Sequence, residues 1–129
     1  LGNLVFVSDL SLTWDPRAIR LACLSHHYRS SWEWHDSLMS QATTRLLAWV
    51  AAGSASAANS PSAHPAPPAL DQVRTALDQV RTALDADLDT PAALLAIDVA
   101  AAAGEDVQQA AQLLGVDLTR PVLLTGDPV

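Results

Sequence analysis

The chain has 129 residues, a length that suits one ordinary domain or two very small ones. Half of the residues are hydrophobic, and arginine supplies all seven basic side chains against fourteen acidic ones, for a net charge of −7. No apolar run reaches the roughly 18–20 residues that a membrane-spanning helix needs. The single cysteine excludes an internal disulfide and is typical of a reduced cytoplasmic protein.

The first predicted element is a short extended segment or loop over residues 1–12, where apolar side chains alternate with others. Asp15-Pro16 then predicts the start of a helix, because Asp15 can cap free N–H groups and a proline at the first helical position loses no hydrogen bond. We expect this helix to continue to Tyr28 and to bury a wide apolar face that includes Cys23.

A second helix is predicted to begin at Asp36 or Ser37 and to end at Gly53. Its apolar residues repeat every three or four positions and form one face: Leu38, Ala42, Leu46 and Trp49. Residues 53–69 consist only of Gly, Ser, Ala, Pro, Asn and His. They predict a flexible linker, because no large apolar side chain is available to offset the entropy of ordering.

After the linker, the heptad DQVRTAL occurs twice in succession, at residues 71–77 and 78–84. The apolar positions of both copies follow a three–four spacing that continues to Leu88 and resembles a coiled-coil seam. A coiled coil needs about three or four heptads, so one amphipathic helix with two added turns is the favoured interpretation. Two further helices are predicted, one from Asp89-Thr90-Pro91 to Gly104 and a last one that ends at Gly115.

The sequence therefore predicts an all-α fold, a helical bundle of about five helices with a short extended N-terminal segment. Its predicted parts are a helical connector over residues 1–52, the linker over residues 53–69 and a small helical domain over residues 70–129. The connector holds four Arg and four acidic residues, whereas the last part holds three Arg and ten acids, a net charge of −7. Such a surface is a poor match for nucleic acid, which is bound largely by Lys and Arg that neutralise phosphates.

Cys23, His26 and His27 are placed so that they could share a metal ion, and His35 is close in sequence. A structural zinc site needs four ligands, however, and a second Cys or His pair is missing. A buried thiol beside two histidines at the negative end of a helix dipole is therefore the favoured interpretation.

Other features offer little chemistry. The chain contains no nucleophile elbow and no glycine-rich phosphate loop. Asp85, Asp87 and Asp89 indicate a solvated face, since general acid–base catalysis needs groups that converge in a cleft. Trp32 and Trp34, beside Tyr28 and Arg29, could stack on a ligand or base, but packing at a corner between helices is the favoured interpretation.

Three stretches resemble a known family. Leu1-Gly2-Asn3 resembles the end of the KMSKS signature of class I aminoacyl-tRNA synthetases, whose cysteine branch continues as -SKSLGN-. Residues 15–34, DPRAIRLACLSHHYRSSWEW, closely resemble the cysteine ligases of mycothiol biosynthesis, which are paralogues of cysteinyl-tRNA synthetase. The Trp-Glu-Trp in this stretch matches the ligase branch and departs from the synthetase pattern. Residues 83–98 resemble the small helical domain common to both branches.

The resemblance implies a C-terminal fragment of an enzyme that activates L-cysteine with ATP, as an adenylate, and joins it to the amine of glucosaminyl-inositol. ATP and zinc are the implied cofactors of this parent enzyme, with both sites mainly upstream of the chain. Gly2 and Asn3 would border the ATP loop, and no residue here is implied as catalytic or as a zinc ligand. The fragment alone is expected to be inactive, and the parent to be a cytoplasmic monomer that binds neither tRNA nor a membrane.

Two alternatives stay open. The first is the equivalent C-terminal region of a cysteinyl-tRNA synthetase, a tRNA-binding module, and the charge of residues 70–129 argues against it. The second is a free-standing helical interaction domain, which is disfavoured because the chain does not begin with methionine.

Overall fold

A computed structural model describes residues 5–35, 37–58 and 67–122, with side chains at 5–35, 37–53 and 75–122. Every regular element in these ranges is a helix, which confirms the predicted all-α fold. None of the described helices is both long enough and apolar enough to cross a membrane. The six helices are α1 (Val7–Leu10), α2 (Pro16–Leu24), α3 (Ser37–Ala58), α4 (Pro67–Asp85), α5 (Thr90–Ala102) and α6 (Gln108–Leu113).

The two predicted proline-containing helix starts are confirmed. Asp15 is the N-cap of α2, and its carboxylate accepts a hydrogen bond of 2.9 Å from the backbone N–H of Arg17. Asp89 caps α5 by accepting a bond of 3.2 Å from the N–H of Ala92. Local side-chain chemistry therefore fixes where both helices begin.

The prediction of an extended N-terminal segment is wrong where the structure describes it as helical. Val7–Leu10 form the single turn α1, in which the carbonyl of Phe6 accepts from the backbone N–H groups of Asp9 and Leu10. Four residues of alternating pattern are too few to distinguish a strand from a helical turn, and these backbone bonds favour the turn.

Helix α2 ends at Leu24, one turn before the predicted end at Tyr28. The hydroxyl of Ser25 donates to the carbonyl of Ala22 at 2.6 Å, and Nδ1 of His26 lies 3.2 Å from the same oxygen. These side chains occupy an acceptor that a continuing helix would use, so they compete with a further turn.

Helix α3 passes through Gly53, its predicted end, and continues to Ala58. A glycine inside a helix costs only about 1 kcal/mol relative to alanine, so it does not force termination. Helix α4 begins at Pro67, and the predicted linker is thus helical at both edges. Its centre, residues 59–66, and the proposed cap Asp36 lie outside the described residues.

One hydrophobic core joins the helices on both sides of the predicted linker. The predicted face of the second helix is confirmed, because all four of its members are buried: Leu38, Ala42, Leu46 and Trp49. Helix α5 packs against both α3 and α4, and α2 packs against α3. Helices α2 to α6 all contribute buried side chains to this core.

The two heptads lie in one continuous helix, α4, as predicted. Ala76 and Ala83, which occupy the same position in the two copies, are both buried, with Val80 between them. The helix ends at Asp85, and Leu88, the last position of the predicted seam, has a φ of +53° and is 54% exposed. The apolar seam therefore stops before Leu88.

Candidate functional site

The N-terminus of α2 is held by a buried arginine. Arg17 is only 9% exposed, and its guanidinium donates two hydrogen bonds to the carboxylate of Asp15, at 3.1 Å from Nε and 2.7 Å from Nη2. It also donates to three backbone carbonyls, those of Asp117 at 2.6 Å, Arg120 at 3.0 Å and Pro121 at 2.8 Å. A guanidinium has five N–H groups, and these five bonds use all of them.

Arg20, one turn further along α2, binds the same part of the chain. Its Nε donates to the carbonyl of Leu114 at 2.5 Å. The guanidinium lies against Gly115, where an added Cβ would sit 2.6 Å from Nη2. We call residues 114–121 the C-terminal strap, because two arginines of α2 hold its backbone along the helix.

The residues before α2 expose apolar side chains. Val5, Phe6 and Val7 are 43%, 59% and 62% exposed, and Leu12 is 78% exposed. We call these four residues the N-terminal apolar patch. Scattered surface hydrophobics need no explanation, but four exposed ones within eight residues of sequence are a concentration of apolar surface that an interaction site would use.

The aromatic residues after α2 contact one another. The rings of His26 and Trp32 stack with centroids 3.9 Å apart and planes 2° from parallel, and Trp34 lies 6.1 Å from Trp32 at 39°. Trp34 also packs against the hydrophobic core. One face of Trp32 is thus covered by His26, an arrangement that favours packing over ligand stacking.

Asp87, between α4 and α5, is contacted by the side chains of three consecutive residues, His27, Tyr28 and Arg29. Tyr28 donates its hydroxyl to Oδ1 at 2.5 Å, Arg29 forms an ion pair with Oδ2, and Nε2 of His27 lies 3.0 Å from the backbone carbonyl. The Tyr28 hydrogen bond, followed by the charges of Arg29 and His27, lowers the pKa of Asp87 below its ordinary value despite some desolvation. The same hydrogen bond raises the pKa of Tyr28.

The structure changes the interpretation of the predicted metal and acidic residues. Cys23 is exposed, so the prediction of a buried thiol is wrong; the inward face of α2 is formed by its neighbours Leu21 and Ala22. Among the described side chains, no group of three or more His, Cys, Asp or Glu is arranged to hold a metal ion. Gly2 and Asn3, predicted at the edge of the ATP loop, lie outside the described residues.

Sequence reasoning missed the two arginines that hold the strap. Arg17 lies four residues before Leu21 and seven before Leu24, so it falls on an apolar face of α2, where an arginine is unusual. That position was the available signal for burial. The partners of Arg17 lie about a hundred residues later in the chain, and no local pattern identifies them.

Several curated proteins that share one name are similar to this chain. The chain is 48% identical over 98 residues to the L-cysteine:1D-myo-inositol 2-amino-2-deoxy-alpha-D-glucopyranoside ligase of Streptomyces avermitilis, an alignment that covers 75% of the chain. It is 44% identical over 127 residues, or 94% of the chain, to the ligase of that name in Clavibacter michiganensis. No family model matches.

Over most of its length, the chain is a relative of these ligases. This finding confirms the resemblance that residues 15–34 and 83–98 indicate. The alignments span 21% of the Streptomyces ligase and 28% of the Clavibacter ligase, so the chain corresponds to about a quarter of either protein. The corresponding ligase of Xylanimonas cellulosilytica is 46% identical over 91% of the chain, again over 28% of its own length.

Proposed function

We propose that this chain is the C-terminal helical part of an ATP-dependent ligase that joins L-cysteine to the amine of glucosaminyl-inositol. In the proposed reaction, the cysteine carboxylate attacks the α-phosphate of ATP and displaces pyrophosphate. The sugar amine then attacks the adenylate, forms the amide and releases AMP. The identity to the named ligases over 94% of the chain is the observation that carries this proposal.

The chain itself is proposed to support the catalytic part and to be inactive alone. The N-terminal apolar patch favours this role, because its side chains would lose their exposure to water against another part of the ligase. Gly2 and Asn3 precede this patch by a few residues and are proposed to border the ATP loop. ATP supplies the activation of the carboxylate, and zinc, implied by the family resemblance, would be held by residues upstream.

A chimaeric ligase tests the proposal directly. This chain would replace the aligned 127 residues of the Clavibacter michiganensis relative. The chimaera is expected to form cysteinyl-glucosaminyl-inositol from cysteine, ATP and glucosaminyl-inositol, while the isolated chain forms none. A folded chimaera without ligase activity, beside an active parental ligase, would contradict the proposal.

A tRNA-binding role is not proposed, because residues 70–129 carry a net charge of −7. We expect the chimaera to show no salt-sensitive tRNA binding at micromolar concentrations in a filter assay. Binding that weakens steeply with salt would instead favour the synthetase alternative.

A further inference from the structure

We propose that Arg17 is a positioning residue that couples the C-terminal strap to the segment before α2, and through it to the nucleotide loop. The first part of this inference concerns the chain alone. The second part, the effect on the nucleotide loop, rests on the proposed function.

The coupling begins at Asp15. Its side chain is 3% exposed, and it both caps α2 and pairs with Arg17. A buried carboxylate is tolerated only while it is paired and hydrogen-bonded. Removing the guanidinium would therefore take two hydrogen bonds and an ion pair away from the cap carboxylate, at the residue where the chain enters α2.

The strap supplies the other acceptors of Arg17. Asp117 orders this segment by accepting hydrogen bonds from the hydroxyl of Thr119 at 2.6 Å and from its N–H at 2.9 Å, contacts that lower the pKa of Asp117. The carbonyls of Asp117, Arg120 and Pro121 all accept from Arg17. Because these acceptors are backbone carbonyls, Arg17 fixes the position of the strap's main chain and does not depend on which side chains the strap carries.

The segment before Asp15 is connected to it through Trp14. The N–H of Trp14 donates to the carbonyl of Leu10 at 2.8 Å, and both side chains pack against the hydrophobic core. A shift of Asp15 would therefore be transmitted to Trp14 and to the turn α1. Catalytic geometry is sensitive to displacements of about 1 Å, so loosening this segment is expected to weaken productive nucleotide binding.

Hydrogen–deuterium exchange of the 129-residue chain tests the coupling without any activity. Arg17→Met is expected to raise the exchange rate of residues 5–14 and of the strap by about tenfold or more. Arg20→Met, which removes one bond to Leu114, is expected to act in the same direction with a smaller effect. Arg81→Met is the matched control, because Arg81 is exposed and forms a surface ion pair with Asp78 at 3.6 Å. Faster exchange in the strap alone, with residues 5–14 unchanged in both variants, would overturn the inference.

The effect on the nucleotide is measured in the chimaeric ligase by cysteine-dependent ATP–pyrophosphate exchange. Arg17→Met is expected to raise the KM for ATP by about tenfold and to leave the KM for cysteine unchanged. The KM for ATP of Arg17→Lys should lie between those of the unsubstituted chimaera and Arg17→Met, because the lysine ammonium has three N–H donors and the arginine guanidinium has five. Equal changes in both KM values, or none in a folded variant, would overturn the nucleotide part. An inactive unsubstituted chimaera would overturn the proposed function, whereas the exchange experiment judges the coupling separately.

Discussion

The two ends of helix α2 are both joined to the C-terminal half of the chain by charged side chains, but in opposite environments. At the N-terminal end, Arg17 and Asp15 are buried beneath the strap. Just beyond the C-terminal end, Tyr28 and Arg29 contact Asp87 on the surface, where the Arg29 side chain is 67% exposed. Both junctions contain several hydrogen bonds, and burial is a clear difference between them. Buried charges must keep their partners, whereas exposed ones can exchange them for water.

The largest effect is expected at the buried junction. Arg17→Met should lower the free energy of unfolding by about 3–5 kcal/mol, because the buried Asp15 carboxylate loses its ion pair with the guanidinium and three backbone carbonyls lose a donor. Urea denaturation followed by circular dichroism measures this change. Arg81→Met should change stability by less than about 0.5 kcal/mol. If the two variants lost equal stability, burial would not be the deciding factor.

An intermediate effect is expected where a charge pair is partly buried. Asp98 on α5 accepts from Arg45 of α3, with Nη2 and Oδ2 2.9 Å apart, and from the indole N–H of the buried Trp49 at 2.8 Å. Asp98→Ala should lower the free energy of unfolding by about 1–3 kcal/mol, because the indole N–H loses its acceptor. Asp78→Ala, on the exposed face of α4, is the matched control. A loss as large as that of Arg17→Met would break the ordering by burial.

Alanine substitutions at two glycines distinguish the cost of backbone strain from the cost of a steric clash with Arg20. Gly104 and Gly115 have φ values of +80° and +77°, but an added Cβ meets nothing within 4 Å at Gly104 and collides with the guanidinium of Arg20 at Gly115. Both substitutions to alanine cost about 1–2 kcal/mol for the left-handed conformation. Gly115→Ala should cost more, because Arg20 must also move. Equal thermal shifts would show that the Arg20 contact adds no stability.

The smallest effect is expected at the exposed junction, and it depends on pH. Because the pKa of Asp87 is lowered in the folded chain, the stability it contributes is present at neutral pH and is lost as pH falls below about 4. Asp87→Asn should lower the melting temperature slightly at pH 7 and flatten its acid dependence. Tyr28→Phe should reproduce part of this change, because the Tyr28 hydroxyl makes the main contribution. An unchanged acid slope in Asp87→Asn would contradict this assignment.

The sequence predicts features that depend on neighbouring residues, but not those that depend on contacts between distant ones. The starts of α2 and α5 were predicted because Asp15 and Asp89 cap helices that follow them directly. The end of α2 was not, because it depends on Ser25 and His26 turning back on the helix, with His26 held in a stack by Trp32. Contacts between distant residues, such as Arg17 with the strap, leave no local periodicity to detect.

The candidate site also combines features that the sequence predicts with contacts that it does not. The family resemblance rests on residues 15–34, and similarity to the ligases confirms it. Arg17 lies inside that stretch, yet its role depends on carbonyls near residue 120. Gly2 and Asn3 stay a prediction. The apolar face predicted for the first helix is buried at Ile19 and Ala22 but not at Cys23, because spacing alone does not settle which residues at the edge of such a face turn inward.

The repeated heptad of α4 has a consequence for how the length of this chain can change. Adding or losing one seven-residue copy moves the far end of the helix by about 10 Å along its axis and turns it by only about 20°. Ala76 and Ala83 are equivalent in such a step, since they have the same position in the two copies and both are buried on the same face of the helix. A copy gained or lost would therefore keep nearly the same face of α4 turned towards the core.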